Sequence, residues 1–315
     1  MTTYKELKGT NIQAVSSDPS NPIEGQVWYN TTSNVTKGQA ATTAGAWSSG
    51  GNLNTARDGA ASSTSGLVTA SLYFAGDTPP GRVTITESYD GTSWTEVNDM
   101  NTARKFLAGA GTYTAALGFG GTPPRTGKTE SWNGTNWTEV NDMTTSRDEV
   151  MGFGQSNTAA LVMGGEEPPV SAKTELWNGT NWTEVNDLNT ARNNGAGAGV
   201  TTSGILAGGN TSPNATTESW NGTNWTNITG FNTTRRDMGA AGVSNSSALI
   251  FGGYSPGPTN SGATEEWNGS NWTETTDMSV ARNQNRGSGI VTAALSTGGN
   301  QSPVSAATEE WAGAG

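Results

Sequence analysis

The sequence predicts an all-β fold, a six-bladed β-propeller. Three observations carry this: a unit of about 45 residues repeated six times, a fixed Trp-to-Arg spacing inside it, and the absence of helical periodicity over any useful length. The Trp and Arg positions read Trp47 and Arg57, Trp94 and Arg104, Trp137 and Arg147, Trp182 and Arg192, Trp225 and Arg235, Trp272 and Arg282. The two residues are ten apart in all six copies, and successive arginines are separated by 47, 43, 45, 43 and 47 residues. A period of this length fits a propeller blade of four strands.

The strands follow from local signals. After each Arg comes a Gly/Ala-rich stretch such as Leu107 to Gly111, which suits the innermost strand, where blades converge and bulky side chains clash. Thr114 to Phe119 is the second strand, ending at Gly120-Gly121, a pair that permits positive φ. The equivalent pairs are Ala75-Gly76, Gly164-Gly165, Gly208-Gly209, Gly252-Gly253 and Gly298-Gly299. Lys128 to Trp132 is the third strand, Asn133-Gly134-Thr135-Asn136 a tight hairpin, and Trp137 to Val140 the outermost strand. The last unit stops after its third strand, at Trp311, and Gly45 to Ser49 supplies the missing outer strand. The first and last segments therefore share one blade, which closes the ring and leaves no open edge.

These residues resemble the kelch repeat. The glycine pair, the aromatic five residues before a Trp, and the Met-x-x-x-Arg close are its marks, and Tyr89 to Arg104 is the nearest copy. The resemblance covers residues 46–315 and implies a six-bladed kelch-like propeller. It implies little about activity, because such propellers serve mostly as binding platforms and less often as enzymes.

Residues 1–45 form an N-terminal arm without the repeat. Asp18-Pro19-Ser20-Asn21-Pro22-Ile23-Glu24-Gly25-Gln26-Val27-Trp28-Tyr29-Asn30 resembles a segment common in bacteriophage tail-fibre and other virion structural proteins. It reads as a Pro-rich turn followed by one short strand, too small for a core. It is either a linker or flap, or an attachment and oligomerisation arm; the resemblance implies the latter.

Composition limits the function classes. The 315-residue chain carries a net charge of −11, so no basic footprint for nucleic acid exists. It lacks a bilayer-length apolar run and a secretory layout at its start. Cysteine and histidine are both absent, which removes thiol chemistry, the usual general base and the commonest transition-metal ligand. Leu, Ile, Val and Phe together make up only 41 of the 315 residues, a share that with the high net charge suggests disorder until the register of 12 tryptophans and 44 glycines is seen. No cofactor and no metal are expected. A carboxylate pair of glycosidase type stands out only at Glu166-Glu167.

Candidate sites fall into three groups. Arg57, Arg104, Arg147, Arg192, Arg235 and Arg282 precede the inner strands and are expected to ring one mouth of the central channel. There they either attract an anion or pair with Asp99, Asp142, Asp187 and Asp277, five residues upstream; the recurrence of the Asp favours pairing. The Trp pairs either stack on sugars or pack between blades, and their identical placement favours packing. The loops between second and third strands vary most, and variable loops on a rigid scaffold suit recognition. Their candidate binding residues are Asp77, Pro79, Pro80 and Arg82; Pro123, Pro124 and Arg125; Glu166, Glu167 and Pro168; and Pro213, Tyr254, Pro256 and Gln301. The Asn-x-Thr sequons read as turn chemistry. The best functional expectation is a non-enzymatic structural or adhesive protein of a bacteriophage virion. Its arm would bind other virion proteins in a homo- or hetero-oligomeric assembly, and its propeller a host-surface glycan or protein. The alternative is a bacterial kelch-type module that binds protein or glycan.

Overall fold

A computed structural model describes residues 12–19, 27–38, 45–210, 215–257 and 259–313. The chain divides into two compact units, one within 1–44 and one spanning 45–313. The larger unit is a six-bladed propeller of six four-stranded antiparallel sheets.

Blade 2 shows the plan: Ala108–Thr112 inside, then Ala115–Phe119, Thr129–Trp132, and Trp137–Val140 outside. Blade 1 runs from Ala61–Ser62 to Trp94–Val97, blade 3 from Met151–Ser156 to Trp182–Val185. Blade 4 runs from Ala196–Val200 to Trp225–Ile228, and blade 5 from Gly239–Ser244 to Trp272–Glu274. Blade 6 takes Arg286–Ile290, Ala293–Thr297 and Thr308–Ala312 from one end of the chain and Ala46–Ser49 from the other, with Trp47 opposite Trp311. Closure completes that sheet but does not abolish edges. Each blade keeps an outer edge, kept short and studded with exposed Thr and Glu, as at Thr138 and Glu139.

Glycine and alanine on the inner strands are a steric requirement. A Cβ on Gly109 would lie 2.3 Å from the Ser62 carbonyl oxygen, and one on Gly287 only 2.0 Å from that of Ala240. Backbones of neighbouring blades therefore touch around the channel, and the core moves outward between the sheets. There the second-strand aromatic of one blade meets the outer Trp of the next: Phe74 with Trp137 at 4.8 Å between ring centroids, Phe119 with Trp182 at 5.0 Å. The same Trp donates its indole N–H to the preceding blade's third-strand Thr, as Trp137 to Thr86 (3.0 Å) and Trp182 to Thr129 (2.9 Å). The third-strand Trp works within its own blade: Trp132 Nε1 donates to the Tyr113 carbonyl in the turn of the inner hairpin. All these tryptophans are buried, so they form the core rather than a sugar-stacking surface.

The outer hairpins use the sequon residues for their turns. Asn133 Oδ1 accepts from the N–H groups of Thr135 and Asn136, and Gly134 has φ +93°. Asn98, Asn141 and Asn186 then reach to the following hairpin, donating to the carbonyls of Thr135, Thr180 and Thr223.

The N-terminal unit corrects the expectation of a single strand. Gln13–Val15, Val27–Asn30 and Val35–Gly38 form a three-stranded sheet, the first pair parallel and the second antiparallel. Its organiser is a carboxylate. Asp18 Oδ1 accepts from the Trp28 indole (3.1 Å) and the Asn30 amide (2.7 Å), while Oδ2 pairs with Lys37 (2.6 Å). Asn30 in turn caps the turn N–H groups of Thr32 and Ser33. Ser20 to Gln26, including the Pro22 turn, lie outside the described residues.

Two outcomes follow. A chain beginning at Gly45 keeps the closing strand and is expected to melt with the propeller of the full chain. One beginning at Gly51 strips Thr308–Ala312 of its partner and is expected to melt several degrees lower; equal melting of the two in a thermal scan would refute closure by Ala46–Ser49. The second outcome concerns acid. Its hydrogen bonds, with Lys37 first, hold Asp18 below the usual 3.8, at about 2. A depressed carboxylate stabilises the fold above its unfolded value and loses this as pH falls through the folded one. The Trp28 indole N–H resonance should therefore shift as pH drops from about 4 to about 2, and Asp18→Asn should abolish that transition.

Candidate functional site

The six repeat arginines are not at the channel mouth. Each lies in the crossover that leads from one blade's outer strand to the next blade's inner strand, and its side chain is buried inside the sheet it approaches. Its carboxylate partner is the third-strand Glu of that blade, not the upstream Asp. The pairs are Arg57–Glu87, Arg104–Glu130 (3.1 Å), Arg147–Glu175 (2.6 Å), Arg192–Glu218, Arg235–Glu265 (3.0 Å) and Arg282–Glu309 (2.9 Å). The reason is reach and geometry. Asp99, Asp142, Asp187 and Asp277 are spent capping the N–H at the start of the third strand, as Asp99 Oδ1 does for Thr86 (3.1 Å).

Each Glu divides its two oxygens. Glu130 Oε1 takes the Arg104 guanidinium; Oε2 takes the Asn101 backbone and amide N–H groups (2.7 and 2.9 Å). The same arginine donates to the Gly120 and Lys128 carbonyls (3.1 and 2.6 Å). The buried charge is thereby paired and its terminal nitrogens hydrogen-bonded, the condition under which burial is tolerated, while Arg104 Nε has no partner among the described residues. The arginine backbone couples blades as well: the second glycine of the preceding pair donates to it, Gly121 N to Arg147 O at 2.9 Å.

The mouth is formed instead by the residue two positions after each arginine. Gly59, Phe106, Glu149, Asn194, Asp237 and Gln284 all adopt left-handed backbone, φ between +51° and +58°. Around the channel they hand backbone hydrogen bonds from blade to blade: Phe106 N to Gly59 O, Asn194 N to Glu149 O, Asp237 N to Asn194 O, Gln284 N to Asp237 O. Sequence reasoning missed this ring. Its signal was present, since these positions vary in chemistry beside an invariant arginine.

The variable loops lie on this same face, tied to it by single bridges such as Asp58 to Asp77 and Arg236 to Tyr254. Two of them carry short antiparallel ribbons, Asp77–Thr78 with Gly81–Arg82 and Tyr254–Ser255 with Thr259–Asn260. Asp77, Pro79, Pro80 and Arg82 line one depression of about 360 Å³ together with Asp58 and Val304. Tyr254 lines the second, of about 450 Å³, which is the mouth itself; its walls are Phe106, Glu149, Asn194, Asp237 and Gln284 of the ring, with Arg236, Asn260, Asn283, Asn300 and Ser302 beside them.

The other loop candidates do not join these depressions. Arg125 pairs with Asp148 (2.7 Å), Glu166 accepts from Asn193 (3.0 Å), Glu167 faces Lys173 (3.5 Å), and Gln301 donates to Ser305 (3.1 Å). Pro123, Pro124, Pro168 and Pro256 are exposed at their loop tips, and Pro213 lies outside the described residues. Glu166-Glu167 is thus two separate contacts rather than a carboxylate pair.

Electrostatics at the mouth are set by burial. Asp237 and Glu149 are both pushed above the ordinary carboxylate range by desolvation. Below the ring, Arg286 donates to the Ala60 carbonyl (2.7 Å) and has its pKa lowered by burial. Among the described residues no group of three His, Cys, Asp or Glu side chains is placed to hold a metal ion.

No protein-family model matches the chain, and no curated protein matches it. Its class is therefore defined by architecture: an all-β propeller scaffold, consistent with a surface-displayed module for ligand or protein interaction.

The arginine pairing predicts a lopsided mutational response. Arg147→Met leaves Glu175 buried without its cation and should cost about 3–5 kcal/mol in urea unfolding. Adding Glu175→Leu should recover part of that loss. An Arg147→Met chain as stable as the parent would show that the pair does not hold the blade.

Proposed function

We propose that this protein is a non-enzymatic structural and adhesive component of a bacteriophage virion, with the N-terminal unit attaching it to other virion proteins and the propeller displayed to a host-surface glycan or protein. The observation that carries the reading is the division of the chain. The segment resembling phage tail fibres supplies Asp18, Trp28 and Asn30, which tie a small separate sheet together. The propeller is acidic and closed, and it gathers its variable residues on one face. A rigid scaffold with chemistry concentrated in loops and in one polar depression suits recognition. The absence of histidine and cysteine from the sequence supports binding over catalysis.

The test is location in a purified particle. Cryo-electron microscopy of the virion, or antibody labelling against the propeller, should find this chain in an oligomeric appendage. Contacts to other chains should concentrate in residues 1–45, and the face bearing Pro79, Pro123, Pro168 and Pro256 should be free. A chain absent from the particle would sink the proposal and favour the bacterial protein- or glycan-binding module.

A further inference from the structure

The channel mouth presents a carboxyl group that no described hydrogen-bond donor occupies. Asp237 is only 9% exposed, yet among the described residues no N–H or O–H donates to either of its carboxyl oxygens. The nearest cation, Arg236 Nε, stands 3.9 Å away. Its oxygens open onto the mouth rather than being sealed in, so a ligand hydroxyl can take the place that solvent holds there. Asp237 faces the depression of about 450 Å³ and also the channel beneath it.

The neighbours restrict what that partner can be. Arg236 lies over the Tyr254 ring, 5.4 Å from its centroid, which holds a guanidinium at the rim and opposes a cationic ligand. Asp237 and Glu149 oppose an inorganic anion. The walls are overwhelmingly polar, which disfavours an apolar ligand. What remains are carboxamides, two carboxyls, a guanidinium and a phenol: acceptors and donors side by side. Gln284 follows Asp237 around the ring, its backbone N–H on the Asp237 carbonyl at 2.8 Å, and its side chain makes no hydrogen bond to a described residue. Asn283 is oriented by donating to Asn260 Oδ1 (2.6 Å).

A sugar hydroxyl donates one hydrogen bond while accepting others, so adjacent hydroxyls satisfy a carboxyl and a carboxamide together. We propose that the mouth of the propeller is a saccharide site, in which Asp237 accepts from a hydroxyl of a neutral sugar, Gln284 donates to the same or the adjacent hydroxyl, and Arg236, Asn283 and Tyr254 form the rim. The proposal rests on the reading of the propeller as the recognition domain and names its ligand class. The elevated carboxyl of Asp237 agrees with it, because a hydroxyl partner serves a carboxyl in either charge state.

The experiment is saturation-transfer NMR on the full chain. The probes are the methyl glycosides of glucose, galactose and mannose, N-acetylglucosamine, maltose, cellobiose and glucuronic acid. Transfer is expected to at least one neutral sugar, weakened tenfold or more in both Asp237→Asn and Gln284→Ala. Asparagine tolerates the left-handed backbone at 237, φ +57°, so the first variant should fold, and melting curves check both. No transfer to any neutral sugar, transfer to glucuronic acid alone, or undiminished transfer in both variants would each overturn the site. Particle location separates the two readings. A chain found in the virion that takes no sugar leaves the adhesive role intact and removes only this site.

Discussion

Every blade is organised around one buried ion pair. The repeat arginine arrives on the crossover from the previous blade, and the third-strand glutamate waits in the middle of the sheet. Neither could be buried alone, because an unpaired charge in such a place costs several kcal/mol. Together they fix three things. The glutamate's second oxygen holds the crossover by its backbone N–H. The guanidinium closes the Gly120 carbonyl, where the glycine pair turns the chain after the second strand, and the Lys128 carbonyl just before the third. The arginine's own carbonyl receives the second glycine of the preceding blade. Register within a blade and spacing between blades thus depend on the same residue, which is why its distance from the tryptophan never varies.

The channel mouth inherits its geometry from that arrangement. With the arginine locked, the residue two positions later must turn left-handed to enter the inner strand, and its side chain is left at the rim. The ring is therefore a fixed frame whose occupants are free to differ: glycine, phenylalanine, glutamate, asparagine, aspartate and glutamine at six equivalent places. A site built on such a frame is positioned by backbone rather than by long side chains. Recognition chemistry can change there without disturbing the sheets.

The fold was legible because its rules are local and repeated. Gly/Ala stretches, the glycine pair and the Asn-Gly turns each imply one element, and sixfold recurrence removed the ambiguity that any single copy leaves. Closure was legible from the strand that the last unit lacks. The arginine's partner was not. Glu130 sits 26 residues from Arg104, and only the paired sheet brings them together, whereas Asp99 looked close along the chain. Loop candidates divided for a similar reason. Asp77 and Tyr254 line depressions, Asp77 while paired with Lys105, whereas Arg125 and Glu167 are taken up by Asp148 and Lys173 away from them. The N-terminal sheet escaped notice because its strands are three and four residues long and are joined through a carboxylate outside them.

Closure of the ring by Ala46–Ser49 also determines how the propeller bears load. That strand directly follows the residues that lead out of the propeller, so tension transmitted from Gly45 arrives first at the ladder with Thr308–Ala312. Pull along the strand axis loads its rungs in parallel, as shear; pull across it opens them one at a time. Trp47 resists both, with its ring edge-on to Phe251 at 4.9 Å and its indole N–H on Thr264 of the neighbouring blade. The latch of the ring is thus pinned sideways into blade 5. A tether fixed at this end would draw on the strength of two blades before the circle could open.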